Sequence, residues 1–224
     1  TGVTIGLASS QSGVSYQLWL SGSPSGSAIS GTGGAISFAA STSAGTYNVV
    51  ATNTTTTCTN NMTGTATVTV NPLPAAITGT TDVCVGLTTT LASTSAGGTW
   101  TSVNTAVATV GSASGVVSGL SAGTSVISYT LPTGCSTATT VTVNPLPAAI
   151  VGSSTVCTGS TTALTDPTGG GTWTSSNIAE ATIGTSSGIV TGVAAGTPTI
   201  TYTLSTGCIV TKQITVITTP AAIG

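Results

Sequence analysis

The stretch "GTWTSVNTAVATVGSASGVVSGLSAGTSVISYT", residues 98–130, returns 73 positions later as "GTWTSSNIAEATIGTSSGIVTGVAAGTPTITYT", residues 171–203. The same shift superposes landmarks on either side without a gap. Asn71 falls on Asn144, Cys84 on Cys157, Trp100 on Trp173, Tyr129 on Tyr202 and Cys135 on Cys208. Self-similarity at a fixed period marks an array of structural units. A unit of 73 residues is longer than a solenoid repeat and long enough for a small sandwich. Within it, "SVISYTL" and "TATTVTV" alternate apolar and polar residues with a period of two. Gly, Asn, Pro and Ser interrupt the alternation at the spacing of a β-sandwich. No window carries a helical period, so the reading is all-β.

Composition agrees with folded β structure. The chain of 224 residues holds 53 Thr and 30 Ser, a bias that often marks disordered or mucin-like tracts. Disorder, however, goes with high charge and few β-branched residues. Here charged residues make up 2% and Thr, Val and Ile alternate, which suits strands. Net charge is −2, so there is no basic footprint for nucleic acid or an anionic membrane surface. No apolar run is long enough to span a bilayer. A surface so poor in charge does not suit a dispersed monomer. It suits one covered by partners or glycans.

Residues 1–70 read as a divergent first unit, with strands "VTIGLAS", "VSYQLWL", "AISFA", "TYNVVATN" and "TATVTV". Its end matches the others, because "TATVTVNPLPAAI" parallels "TATTVTVNPLPAAI". Aligning "GVTIGL" with "GLTTTL" puts Thr1 opposite Val85, so the counterpart of "PLPAAITGTTDVC" is absent and the unit lacks its first strand. Residues 71–143 and 144–216 are the second and third units, and 217–224 form a tail. The expected arrangement is three tandem sandwiches in an extended rod, their junctions stiffened by the prolines of "NPLP".

The tail ends in "PAAIG", a third copy of the stretch that opens the second and third units. It matches part of what the first unit lacks. Pro220, Ala221, Ala222 and Ile223 are therefore expected to act as a donor strand. Their expected acceptor is the open edge of another copy's first unit, formed by Val3, Ile5, Leu7, Val68 and Val70. Strand addition of this kind satisfies an unpaired sheet edge.

Five cysteines are an odd number. Assigned by unit, they predict Cys84–Cys135 and Cys157–Cys208 bonds, each closing about 50 residues and worth roughly 4 kcal/mol in the chain-entropy model. Buried thiols are the alternative; metal binding lacks both a CxxC spacing and any His. Cys58 aligns with Cys135 if "NNMT" is an insertion, and is expected to be unpaired. Disulfides imply an oxidising, extracellular compartment.

Trp100, Ser102, Ala106–Val110, Gly115, Val117, Gly119, Ala122–Thr124, Ile127 and Tyr129 resemble the signature of bacterial immunoglobulin-like domains of group 2, the type in invasin- and intimin-like adhesins. The "NPLPAAI" linkers and paired cysteines are also similar to repetitive surface proteins of Bacteroidota exported by type IX secretion. The resemblance implies immunoglobulin-like sandwiches, extracellular display and roles in adhesion or filament building, without enzymatic activity. It places Trp100 and Trp173 on the core strand near a disulfide, not on a sugar-stacking surface, and Tyr129 and Tyr202 are likewise expected in the domain cores.

Little chemistry is available for catalysis. No His is present, and the only charged residues are Asp82, Asp166, Glu180 and Lys212. A paired-carboxylate site would need two scattered acids to converge, and a Ser–Lys dyad would rest on Lys212 alone. Calcium needs several oxygen ligands. No catalytic, metal or cofactor site is expected. Asn53-Thr54-Thr55 and Asn61-Met62-Thr63 match the N-glycosylation pattern, and many hydroxyls are open to O-glycosylation. A flat Thr array for ice conflicts with the twist of short strands. Trp19 is the candidate exposed aromatic.

Two functions remain. One is a structural subunit of an extracellular filament that polymerises with itself, head to tail, by strand donation. The other is an adhesin stalk, or a module of a longer surface protein that binds glycan or protein.

Overall fold

The computed structural model describes residues 2–219, and they contain strands and turns but no helix. The expected donor residues, Pro220 to Ile223, lie outside the described residues. By internal contacts the chain divides into two compact units, Thr1–Pro72 and Leu73–Gly224. The second of these holds both copies of the repeat, each with its own hydrophobic cluster.

In the middle repeat, one sheet orders Asp82–Cys84, Ser136–Asn144, Gly123–Thr130 and Thr99–Ser102. The other orders Ala108–Val110, Val116–Gly119, Thr88–Ala92 and Thr78–Gly79. Inward residues of both sheets form one core: Val83, Trp100, Ile127, Tyr129, Val141 and Val143 from the first, and Leu91, Ala108 and Val117 from the second. Alternation explains the choice. In Gly123–Thr130 the buried residues are Ser125, Ile127 and Tyr129, at every second position, because successive side chains point to opposite faces. The third repeat copies the plan, with Ile150, Val156, Leu164, Trp173, Ala181, Val190, Ile200, Tyr202, Ile214 and Val216 in its core.

The quoted stretch owes one requirement to packing. Gly115 and Gly188 take φ of 68° and 69°, in the left-handed region that glycine enters without strain. A Cβ there would also stand 3.1 Å from the Trp100 ring and 3.2 Å from the Trp173 ring.

The first unit is built differently. Val14–Leu20 and Gly45–Asn53 pair antiparallel at the centre of its main sheet. Ser23–Pro24 and Ile29–Ser30 flank the former, and Thr59–Asn61 and Ala66–Val68 flank the latter. A second, two-stranded sheet pairs Gly6–Leu7 with Ile36–Ser37. Between them lie Ile5, Tyr16, Leu18, Ile36, Phe38, Tyr47, Val49 and Val68.

The cysteine pairing differs from the expectation. Cys84 is bonded to Cys208, joining the middle repeat to the third, with Cα atoms 5.7 Å apart. The two within-unit bonds, Cys84–Cys135 and Cys157–Cys208, are not formed. Strand pairing gives the reason. Cys84 lies opposite Asn144 in a parallel pair, at the far end of Ser136–Asn144 from Cys135. Nine residues at about 3.3 Å each separate those ends by roughly 30 Å, whereas a disulfide needs Cα atoms within about 7 Å. Cys157, opposite Ile217, stands in the same relation to Cys208. Each repeat thus holds its two cysteines at opposite ends, and the hairpin of the third repeat meets the middle one, with Cys208 Sγ 3.9 Å from Asn144 O.

Candidate assembly site

The charged residues do not converge. Asp82 Oδ1 accepts a 3.4 Å hydrogen bond from Asn144 Nδ2, and Asp166 Oδ1 caps a turn by accepting from the Thr168 N–H at 2.8 Å. Lys212 Nζ donates to the carbonyls of Gly152 at 2.7 Å and Ile150 at 3.3 Å. It thereby ties the opening segment of the third repeat to a late strand. Among the described residues no group of three or more His, Cys, Asp or Glu could hold a metal ion. No described helix is long and apolar enough to cross a membrane.

Both repeat tryptophans are buried. Trp100 pairs across the sheet with Tyr129, ring centroids 4.7 Å apart, and Trp173 with Tyr202 at 4.5 Å. The Tyr129 hydroxyl accepts from the Gly98 N–H at 2.8 Å and donates to Ser95 O at 2.7 Å. The Tyr202 hydroxyl accepts from the Gly171 N–H at 2.7 Å. These rings bridge sheet to loop and have no face open for a sugar. Trp19 is half-buried, and its indole N–H finds no hydrogen-bond partner among the described residues. Asn53 Oδ1 is occupied by the N–H groups of Thr55 and Thr56, both at 2.9 Å, whereas Asn61 is exposed.

The first unit departs from the repeats at one edge. In the middle repeat, Thr142–Asn144 take a parallel partner, Asp82–Cys84. In the third, Thr215–Ile217 take Thr155–Cys157. The strand Ala66–Val68 pairs with Gly45–Asn53 on one side and has no such parallel partner among the described residues. Val70 is 57% exposed, while its counterparts Val143 and Val216 are 1% and 2% exposed. Beside this edge a cavity of about 200 Å³ opens among Ile5, Leu7, Leu18, Tyr47, Met62 and Ala66. The core residues Val83 and Val156 of the repeats have no counterpart among the described residues of the first unit.

The five predicted acceptor residues therefore fall in two classes. Ile5 and Val68 are buried and Leu7 packs against the first unit's core. Val3 and Val70 are exposed, and Val3 forms a two-hydrogen-bond bridge to Ser41. Sequence reasoning missed Met62, treated as part of an insertion, which packs against the core and lines the cavity. Only its single apolar side chain in "NNMT" could have signalled this.

Register narrows what the tail can match. Ile223 corresponds to Ile77 and Ile150, which pack into the cores of their own repeats. The residue after Ile77 pairs antiparallel with Ala92, and Val151 bridges Thr165 in the same way. In the first unit those places belong to Leu7 and Ala8. The Leu7 side of the first unit thus corresponds to the place that Thr78–Gly79 take beside Leu91 in the middle repeat, and the Val70 side to the later strand Asp82–Cys84.

No family model and no curated protein sequence matches the chain. Among solved structures it is similar to the surface-layer protein SbsC, domains 1–6, at 21% identity over 93% of this chain and 35% of that one, with a TM-score of 0.33. Similarity to the C-terminal 282-residue fragment of intimin, solved with the intimin-binding domain of its translocated receptor, is 19% identity over 77% and 57%, TM-score 0.34. For Drosophila OTK, extracellular domains 3–5, the values are 12%, 98%, 92% and 0.31. The chain spans about a third of the SbsC structure and just over half of the intimin fragment.

Proposed function

We propose that this chain is a structural subunit of an extracellular filament, built of immunoglobulin-like sandwiches and joined head to tail by strand donation. The observation that carries the reading is the Leu7 side of the first unit, where Gly6–Leu7 have Ile36–Ser37 as their one strand partner among the described residues and Leu7 lines a cavity of about 200 Å³ with Ile5 and Met62. An unpaired edge over an unfilled core calls for an added strand. Pro220 to Ile223 of another copy repeat the stretch that delivers Ile77 and Ile150 to their cores. Burial of Ile223 would contribute roughly 2 kcal/mol, and each ladder hydrogen bond about 1 kcal/mol. Donor and acceptor are different surfaces, so the contact is heterologous and propagates unless its rotation closes a ring. The disulfide between repeats supports an oxidising compartment outside the cell, and a charge-poor surface suits packing against further copies or glycans.

The test is deletion of residues 219–224, or Ile223→Asp, followed by electron microscopy of the assembled protein and circular dichroism of the soluble chain. Loss of filaments with unchanged β signal is the expected result. Filaments that form normally after the deletion overturn the reading.

A further inference from the structure

We infer that successive copies are also joined covalently, by a disulfide from Cys157 of one copy to Cys58 of the next. This rests on the head-to-tail reading above and adds a bond that strand donation does not require.

The bond Cys84–Cys208 supplies the rule: the cysteine ending the first parallel strand of one unit binds the hairpin cysteine of the unit that follows. Cys157 is built as Cys84 is. It ends Thr155–Cys157 opposite Ile217, as Cys84 ends Asp82–Cys84 opposite Asn144. The turns after the two are superposable in their hydrogen bonds. The Leu87 N–H donates to Cys84 O and the Ser160 N–H to Cys157 O, both at 3.0 Å. The Gly86 N–H reaches Gly119 O at 2.8 Å, and the Gly159 N–H reaches Gly192 O at 2.9 Å. Around Cys84, the seat for the incoming hairpin is a groove of Thr80, Asp82, Val83, Leu87 and Thr88, closed by Thr206 and Gly207 of the third repeat. Cys157 forms no disulfide, and its surroundings repeat this seat as Ser153, Thr155, Val156, Ser160 and Thr161.

Cys58 is built as the incoming partner. It lies in the hairpin between Gly45–Asn53 and Thr59–Asn61. Its carbonyl accepts the Asn53 N–H at 2.9 Å, just as Cys208 O accepts the Leu204 N–H at 2.9 Å. Cys208 is buried in its bond, whereas Cys58 is exposed as a free thiol. Strand donation from residues 220–224 would seat the next copy's first unit directly after the third repeat, which is the order that the rule requires.

The chemistry balances with a small-molecule disulfide as oxidant. The Cys58 thiolate attacks oxidised glutathione, forms a mixed disulfide and releases one glutathione thiol. The Cys157 thiolate then attacks the Cys58 sulfur and releases the second. One S–S bond is formed and one reduced, and the two protein thiols give up their protons to the two glutathione thiolates.

The test assembles the full chain in a glutathione redox buffer and reads it by non-reducing electrophoresis, by pepsin digestion with mass spectrometry, and by electron microscopy. A reductant-sensitive ladder containing a Cys58–Cys157 peptide is expected. Cys58→Ser and Cys157→Ser should each abolish the ladder, and an equal mixture of the two variants should yield covalent dimers and nothing longer. Filaments without the Cys58–Cys157 peptide overturn the crosslink and leave strand donation standing. A ladder that persists in Cys157→Ser also overturns it. The absence of any oligomer, covalent or not, overturns both.

Discussion

Cys84 and Cys208 are 124 residues apart in sequence and 5.7 Å apart between Cα atoms. Their bond fastens the strand Asp82–Cys84 of one repeat to the hairpin that precedes Ile209–Gln213 of the next. Because first-strand and hairpin cysteines sit at opposite ends of each sandwich, only a neighbouring unit can bring such a pair together. A bond of this kind clasps units instead of stapling a core.

Breaking the clasp is expected to destabilise the second compact unit and leave the first untouched. In the chain-entropy model a loop of this length contributes about 5 kcal/mol. Cys84→Ser or Cys208→Ser should therefore lower the thermal midpoint of the unit Leu73–Gly224, and added reductant should do the same to the wild type and nothing further to the variants. Calorimetry in both buffers checks this.

Removal of one hydroxyl should expose the role of the tyrosines. Tyr129→Phe leaves the Gly98 N–H and Ser95 carbonyl without the partner they now share, at a cost of about 1–3 kcal/mol. Trp173→Ala empties a buried site against Tyr202 and should cost about 3–5 kcal/mol. Urea unfolding of each variant, followed by circular dichroism, measures both.

Equivalent valines should behave differently. Val70→Asp, at an exposed position, should change the stability of the isolated chain by less than about 0.5 kcal/mol. Val143→Asp places a charge in the middle repeat's core and should unfold that repeat. Hydrogen exchange across the chain distinguishes local from global loss.

Lys212→Met keeps the aliphatic stem and deletes the donor to Ile150 and Gly152. The opening segment of the third repeat should loosen, with a loss of about 1 kcal/mol for a half-exposed clamp. Exchange of the Val151 amide, which bonds Thr165 O at 2.8 Å, should accelerate more than that of the core strands.

The sequence alone determined the repeat, its length and the strand content. Those features depend on local alternation and fixed offsets, which chain order records directly. It also raised the expectation that the first unit lacks an opening strand; in the structure Val70 is exposed where its counterparts Val143 and Val216 are buried. The cysteine pairing is another matter. Periodicity says that Cys84 is equivalent to Cys157 and Cys135 to Cys208, and a bond within each unit satisfies it as well as a bond between units. Only the parallel register of Cys84 with Asn144 puts nine residues of extended strand between Cys84 and Cys135. That long-range pairing is a tertiary fact, because it is set by which strand fills the edge of a sheet and not by any pattern within either strand.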